Sequence, residues 1–152
     1  MTMTDTRTPP EIYRAALEDE RLTFQRCVAC GHAWLPARTE CPRCWSPDHA
    51  WEASSGGATV VSWVVFHVAF DPRFKDRTPY NVALVDLEEG PRLVTNIIGI
   101  PDDEDLVGRR VALCFEEDMG RKLPRFRLAE RLDPPSDNGE RPATGTFREE
   151  RL

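Results

Sequence analysis

Apolar and β-branched residues dominate five segments in the second half of the chain. These segments are residues 58–70, 80–88, 92–100, 110–117 and 123–130. Such side chains suit the pleated surface of a sheet, and the clusters of Gly, Pro and Asp between the segments are typical of turns. Residues 118–120, Asp-Met-Gly, would close the last hairpin. Five short strands without helical patterns between them predict a mainly β fold, an OB-type barrel, with a small sandwich as the alternative.

The segment before these strands has a helical pattern. From Pro10 to about Phe24, apolar residues recur on one face, at Ile12, Ala15, Ala16 and Leu17. Pro9 and Pro10 stand where a helix tolerates proline, at its start. We expect this helix to pack on the core, and a dedicated partner-binding helix is the alternative.

Four of the five cysteines form two C-x-x-C pairs that are separated by ten residues. Each pair can present two thiolates to one ion, so Cys27, Cys30, Cys41 and Cys44 predict a structural zinc site. Gly31 follows the first pair, where the backbone must reverse. A redox-active dithiol is the alternative for a single pair. Four thiolates leave no open position for water, so we expect no Lewis-acid chemistry from this zinc.

Several aromatic and imidazole side chains surround the two cysteine pairs. His32 and His49 flank the pairs and are alternative ligands, although the set of four thiolates is complete without them. We expect Trp34, Trp45 and Trp51 to pack around the ribbon, unless one of them offers a flat surface to a partner.

These patterns divide the 152 residues into four parts. The parts are an N-terminal segment with the helix (1–25), a zinc ribbon (26–55), an OB-fold barrel (56–132) and a flexible tail rich in Pro and Gly (133–152). There is no apolar run of the ~20 residues that a membrane helix needs, and residues 1–10 lack a secretory pattern. We therefore expect a cytoplasmic protein without a membrane-spanning segment.

Charge and motifs limit the chemistry that we predict. The formal net charge of −6 repels polyanions, which weighs against a general nucleic-acid binder. The sequence contains no Ser-His-Asp ordering, phosphate-binding Gly loop or H-E-x-x-H helix, so we predict no catalytic residues. The segment 71–77 is basic and aromatic, and its anion-contacting candidates are Arg73, Phe74, Lys75 and Arg77. They would contact an anionic group such as the phosphates of coenzyme A, and a solvated loop is the alternative.

The order of helix, ribbon and barrel resembles the acyl-CoA-associated OB-fold family known as domain of unknown function 35 (DUF35). The likeness covers residues 10 to 130. It is most specific at Pro79-Tyr80, the Gly90-Pro91 turn, Gly108 and the sequence LPRFR at residues 123–127. Members of this family join a rubredoxin-like zinc ribbon to an OB barrel.

This resemblance implies a non-catalytic accessory subunit. The partners of such subunits are thiolase-fold enzymes, including thiolases and the retro-aldolases that shorten steroid side chains, and the subunit helps to form or stabilise the acyl-CoA site. We therefore expect a hetero-oligomer that has no activity alone. The alternative is a single-stranded nucleic-acid binder. In that case the stacking surfaces would be Trp63, Phe66, Phe70 and Phe74, and the charge would come from Arg73, Lys75, Arg77, Arg109, Arg110 and Arg121.

Overall fold

A computed structural model describes residues 5–100 and 104–129. It begins with helix α1 (Pro9–Glu18), followed by strands β1 (Thr23–Cys27), β2 (Ala33–Trp34) and β3 (His49–Ala53). Then come β4 (Gly57–Phe66), a 3₁₀ helix (Pro72–Arg77), β5 (Tyr80–Leu87), β6 (Arg92–Thr95), β7 (Ile97–Ile98), β8 (Arg110–Asp118) and β9 (Arg121–Leu128). This element order confirms the prediction of a mainly β fold. The predicted tail, residues 133–152, lies outside the described residues.

Helix α1 is shorter than its sequence pattern predicts. Its first turn is capped by Glu11, whose carboxylate accepts hydrogen bonds from the Thr8 backbone N–H and hydroxyl, both at 2.7 Å. The chain reverses at Glu20, which has a φ of 55°, and residues 23–27 then form β1. The extension of the helix to Phe24 is therefore wrong. The helical pattern ran on because β1 is buried at four of its five positions and shows no strand alternation.

The first sheet belongs to the ribbon and has the antiparallel order β2-β1-β3. Gln25 in the central strand is fully buried. Its amide donates to the Arg38 carbonyl at 2.7 Å and accepts from the Arg38 N–H at 2.8 Å. One glutamine thus pairs with the backbone of the loop after β2 as a neighbouring strand would.

The second sheet has the order β6-β5-β4-β8-β9-β7. Its two end strands are consecutive in the chain and are separated by Asn96 alone, so the sheet closes on itself as a barrel. The predicted third strand, 92–100, is therefore interrupted. Asn81 spans the interruption, because its side chain donates to the Ile97 carbonyl at 2.7 Å and accepts from the Ile97 N–H at 2.8 Å.

The ends of the predicted strands also differ in detail. The first predicted strand, 58–70, ends at Phe66. The hairpin predicted at residues 118–120 is present: Asp118 pairs with Arg121, and both Met119 and Gly120 have positive φ, as a two-residue hairpin turn requires.

The main hydrophobic core lies inside the barrel. Phe126, Val85 and Leu106 are fully buried there. Leu17 of α1 and Leu22 join the same core, which supports the interpretation of α1 as a packing helix. Ser54 and Ser55 after the ribbon donate to the Glu89 carboxylate at 3.1 and 2.6 Å, which fixes the ribbon to the β5–β6 turn. No helix among the described residues is long and apolar enough to cross a membrane.

Candidate metal centre and barrel groove

The two C-x-x-C turns have the same backbone geometry. In the first turn, the Cys27 N–H donates to the His32 carbonyl at 2.8 Å, and the Gly31 N–H donates to the Cys27 carbonyl at 3.0 Å. The second turn, which begins at Cys41, repeats both bonds at the equivalent positions, each at 2.9 Å. Each turn therefore presents two sulfur atoms on the same side of a tight loop.

The four sulfur atoms lie close together, as the sequence predicts. Their Sγ atoms are all within 4.8 Å of one another. The Sγ atoms of Cys27 and Cys44 are 3.5 Å apart, and those of Cys30 and Cys41 are 3.7 Å apart. Sulfur atoms at the corners of a tetrahedron with metal–sulfur bonds of about 2.3 Å would be about 3.8 Å apart. The cluster therefore fits a tetrahedral metal ion with four thiolate ligands.

The thiols of the cluster differ in pKa. The pKa of Cys27 is lowered to about 7, mainly because the Cys30 N–H donates to its Sγ atom. The Ser46 N–H lowers the pKa of Cys44, but the adjacent Cys27 sulfur and burial outweigh that effect and raise it to about 12. The thiols therefore compete for protons, and a divalent cation would remove the competition because it stabilises all four thiolates.

The two histidines near the cluster lie outside the set of ligating residues. The rings of His32 and Trp34 stack at 6.3 Å, and the rings of Trp34 and His49 meet edge to face at 5.9 Å. A further edge contact joins His49 to Trp51 at 6.1 Å. This row of rings packs the ribbon, as expected for Trp34 and Trp51.

Trp45 differs from the other two tryptophans of the ribbon. Trp34 is 3% exposed, whereas Trp45 is 72% exposed. Trp45 also has a φ of 66°, and the equivalent residue of the first turn is Gly31, with a φ of 76°. A left-handed backbone costs a residue with a Cβ about 1–2 kcal/mol. The sequence hinted at this difference, since Gly follows one cysteine pair and Trp follows the other.

The basic segment predicted to contact anions forms the 3₁₀ helix. Two guanidinium groups lie near the Phe74 ring, that of Arg73 at 5.9 Å and that of Arg77 at 5.6 Å from the ring centroid. Both arginines are paired with carboxylates, Arg73 with Asp71 at 2.6 Å and Arg77 with Asp118 at 2.8 Å. Lys75 is exposed and forms no ion pair with any described residue. The structure thus brings Arg73, Phe74 and Arg77 together and leaves Lys75 as the uncompensated cation.

A groove with a volume of about 380 Å³ lies beside this segment. Its lining residues include Phe74, Arg77, Tyr80, Asn81, Asn96 and Asp118. Asp118 accepts hydrogen bonds from Arg77 and, at 3.5 Å, from Arg125, and the Arg77 bond is the main reason that the pKa of Asp118 is lowered. Sequence reasoning did not bring Asn81, Asn96 and Asp118 together, because they come from β5, the break between β6 and β7 and the end of β8, which meet only through the fold.

The residues of the nucleic-acid alternative are distributed differently. Arg109 and Arg110 are paired with Glu104 and Glu88. Trp63 packs against the barrel core, and Phe66 stacks on Tyr80 at 5.4 Å. Four of the six cations of that alternative are thus in ion pairs, so these six residues do not form the uncompensated positive groove that a single strand requires.

The far end of β4 and the residues that follow it expose apolar side chains. Val64, Val65 and Val68 are 51%, 39% and 67% exposed, and Phe70 is 88% exposed. Strand β8 pairs with β4 only at residues 57–59, so beyond Val60 one edge of β4 has no strand partner within residues 5–100 and 104–129. We call residues 64, 65, 68 and 70 the β4 patch.

Comparison with protein families identifies both parts of the molecule. Residues 14–50 match the rubredoxin-like zinc ribbon domain of ChsH2, and residues 51–116 match its C-terminal OB-fold domain. Among solved structures, a chain of the Ltp2-ChsH2(DUF35) aldolase is 37% identical with a TM-score of 0.70, over 82% of this chain and 98% of that one. A DUF35 protein from Sulfolobus solfataricus is 18% identical with a TM-score of 0.58, over 82% and 90%, and shares the fold.

Curated relatives include a probable enoyl-CoA hydratase alpha subunit from Thermomonospora curvata, 42% identical over 115 residues. This match covers 75% of the present chain, which spans only 35% of the relative. A DUF35 domain-containing scaffold protein from Methanothermobacter thermautotrophicus is 35% identical, over 63% of this chain and 72% of its own. Another DUF35 domain-containing scaffold protein, from Pyrococcus furiosus, is 32% identical over 75% of this chain and 79% of its own.

The fold and the cysteine cluster define a protein in which a four-cysteine ribbon is joined to an OB-fold barrel. The chain belongs to the DUF35 family, with a ribbon and a barrel of the ChsH2 type. The resemblance identified from the sequence is thereby confirmed. Its relatives thus include scaffold proteins and a chain of an aldolase complex.

Proposed function

We propose that this chain is a non-catalytic subunit of a thiolase-like acyl-CoA enzyme and helps to form or stabilise its acyl-CoA site. The observation that carries the proposal is the likeness to the DUF35 chain of the Ltp2-ChsH2 aldolase, which extends over 98% of that chain. The partner would supply the catalytic groups, whether it is a thiolase or a side-chain retro-aldolase.

The β4 patch supports contact with a protein. Val64 and Val65 lie at the unpaired part of the β4 edge, and Val68 and Phe70 follow that strand in the chain with their side chains exposed. Proteins seldom leave such an edge uncovered, because it invites pairing with other chains. A partner subunit would cover the patch and satisfy the edge.

The groove beside the 3₁₀ helix supports contact with acyl-CoA. Phe74 lines the groove with an aromatic surface. Lys75, the next residue of the 3₁₀ helix, lies outside the lining and offers a positive charge without a carboxylate partner among the described residues. Arg73 and Arg77 would contribute less to phosphate binding, because each already faces a carboxylate. We therefore assign the main phosphate contact to Lys75, among the four residues of this segment.

Zinc is the metal that we propose for the four thiolates. Thiolate ligands favour soft or borderline ions, and a closed set of four cysteines is typical of structural zinc. The metal would stabilise the ribbon, whose buried cluster around the site consists of Cys27, Trp34 and Cys41 alone. The residues of the ribbon would then hold their surface in place without taking part in a reaction.

Co-expression with the thiolase-fold enzyme that is encoded nearest to this chain tests the proposal. We expect the two proteins to elute together in gel filtration, and we expect the enzyme to lose activity or stability without this chain. In the complex, Lys75→Ala should raise the KM for acyl-CoA and leave kcat nearly unchanged, since it removes a binding contact. Arg14→Ala, which removes an equal charge from the exposed face of α1, is the matched control.

Separate elution, with enzyme activity that is indifferent to this chain, would contradict the proposal as a whole. If the complex forms but Lys75→Ala and Arg14→Ala have the same KM, only the assignment of the acyl-CoA contact is wrong.

A further inference from the structure

Trp45 occupies a position that the geometry of the ribbon reserves for glycine. The two cysteine turns make the same backbone hydrogen bonds, and Gly31 and Trp45 stand at the same place in them with φ values of 76° and 66°. Glycine adopts this conformation without strain, whereas tryptophan adopts it only with backbone strain. The stability of the ribbon therefore gives no reason for a tryptophan at this position.

Packing gives no reason for it either. The Trp45 side chain is 72% exposed, and within residues 5–100 and 104–129 its indole N–H has no hydrogen-bond partner and its rings contact no other aromatic ring. Trp34 already fills the space beside Cys27 and Cys41. An exposed, strained aromatic residue that stabilises nothing in its own chain indicates a function outside it.

The neighbours of Trp45 extend this exposed apolar surface. The two turns meet at the cysteine cluster, where the Sγ atoms of Cys27 and Cys44 are 3.5 Å apart. Arg43 is exposed in the second turn. The apolar residues that the turns expose around the cluster are Val28, Ala29, Pro42 and Trp45, and Val28 is 71% exposed. We call these four residues the ribbon tip. A tryptophan that shares two neighbouring turns with smaller apolar residues and an arginine has the composition of a binding hot spot in a protein interface.

Charge distinguishes a protein from a nucleic acid as the occupant of the ribbon tip. Four thiolates with a divalent cation carry a formal charge of −2. The remaining charges of residues 26–55 cancel, with Arg26, Arg38 and Arg43 against Glu40, Asp48 and Glu52. The net charge of the ribbon therefore disfavours a phosphate backbone, and Arg43 is the one cation within the two turns. A protein pocket that is apolar inside and has N–H donors or basic side chains at its rim would be attracted.

We infer that the ribbon tip is a docking surface on which Trp45 inserts into such a pocket of the partner enzyme. This inference rests on the proposed function and adds a second contact to that of the β4 patch. The metal would then position the two cysteine turns relative to each other, so that their apolar residues form one surface.

Replacement of Trp45 by glycine tests the inference. Trp45→Gly gives the second turn the residue that the first already has, so we expect bound metal and a melting temperature equal to or above that of the wild type. We expect its Kd for the purified thiolase-fold partner, measured by calorimetry, to be at least tenfold weaker. Glu20→Gly is the control for the backbone change, since Glu20 also has a positive φ of 55° and is exposed but lies outside the ribbon tip.

A second measurement observes the indole directly. In a chain labelled with 5-fluorotryptophan, the ¹⁹F resonance that is missing from Trp45→Gly belongs to Trp45. We expect this resonance to shift on addition of unlabelled partner and to stay unchanged on addition of a single-stranded oligonucleotide. A shift with the oligonucleotide that weakens with salt would overturn the inference in favour of nucleic acid.

Two further outcomes would also overturn it. The first is a wild-type complex whose Kd changes less than twofold in Trp45→Gly, which would leave the proposed function intact. The second is loss of metal from both Trp45→Gly and Trp45→Asn, because asparagine tolerates the left-handed conformation and the tryptophan would then be structural. If the wild-type chain forms no complex at all, the proposed function itself fails.

Discussion

The ribbon and the barrel lie side by side in one chain and are stabilised in different ways. The buried cluster around the ribbon's cysteine site consists of Cys27, Trp34 and Cys41, whereas the barrel core joins eleven buried residues from its strands, α1 and the segments between them. A few apolar contacts cannot offset the entropy of ordering a loop-rich segment, so the ribbon depends on its metal. The barrel depends on burial of apolar surface. A substitution that destabilises one region should therefore leave the stability of the other nearly unchanged.

Removal of one metal ligand should have the largest effect. Cys41 is fully buried in the cluster, so Cys41→Ser should abolish metal binding, which is worth about 10–16 kcal/mol in zinc-finger peptides. We expect the ribbon amides to lose protection from hydrogen exchange while Val85 and its neighbours in the barrel stay protected. Cys114→Ser is the matched control, because Cys114 lies in β8 outside the cluster and its replacement should leave the metal content unchanged. Loss of protection throughout the chain would show that the two regions unfold together.

Truncation of a side chain in the barrel core should destabilise the barrel and leave the metal site intact. Phe126 is fully buried, and Phe126→Ala should lower the free energy of unfolding of the barrel by about 3–5 kcal/mol. Metal content at low temperature should stay unchanged, because the cysteine cluster is a separate set of contacts. Phe70→Ala, at an 88% exposed position, should change the free energy of unfolding of the barrel by less than about 0.5 kcal/mol. Equal effects of the two substitutions, measured by denaturant titration, would contradict the assignment of the core.

Each region also contains a side-chain amide that pairs with the backbone of another segment. Gln25 does so in the ribbon with Arg38, and Asn81 does so in the barrel with Ile97. Either alanine variant leaves backbone groups without partners, which costs about 1–3 kcal/mol. Gln25→Ala should therefore speed metal release to a chelator by roughly 5- to 150-fold, and Asn81→Ala should lower the barrel's melting temperature instead. Faster metal release from Asn81→Ala would contradict the separation of the two regions.

The features that depend on local spacing were predictable from the sequence. The four cysteines of the metal site follow from two C-x-x-C pairs, and most of the barrel strands follow from β-branched runs between turn residues. The end of α1 was not predictable in this way, because Thr23–Cys27 is a central strand whose burial hides the alternation. The break at Asn96 was missed because it is stabilised by Asn81, on another strand.

The candidate site depends more strongly on tertiary structure. The sequence identified residues 71–77 as a basic segment, yet it could not show that Asp118 neutralises Arg77 from 41 positions away. The left-handed conformation of Trp45 was predictable only by comparison of the two turns, once their hydrogen bonds are known to be equivalent. Sequence spacing thus locates groups that could bind a ligand, and the fold decides which of them are already paired.

The ion pair between Arg77 and Asp118 should give the smallest effect, and the effect should depend on pH. The Arg77 bond lowers the pKa of Asp118 in the folded protein, so the carboxylate stabilises the barrel at pH values above its unfolded pKa of about 3.9. This contribution is lost as the pH falls through the lowered pKa. Asp118→Asn should therefore melt below the wild type at pH 7, and the two melting temperatures should converge in acid.

Salt should also reduce the difference in melting temperature between the wild type and Asp118→Asn at pH 7. The Arg77 side chain is 43% exposed, so water and ions screen the pair. Asp76→Asn is the control, since Asp76 lies on the same 3₁₀ helix and forms no ion pair with a described residue. A difference between Asp118→Asn and wild type that persists in acid would assign the effect of Asp118 to packing rather than to charge. The metal content of both variants should match the wild type at every pH that is tested, because the pair belongs to the barrel and the ribbon is stabilised independently of it.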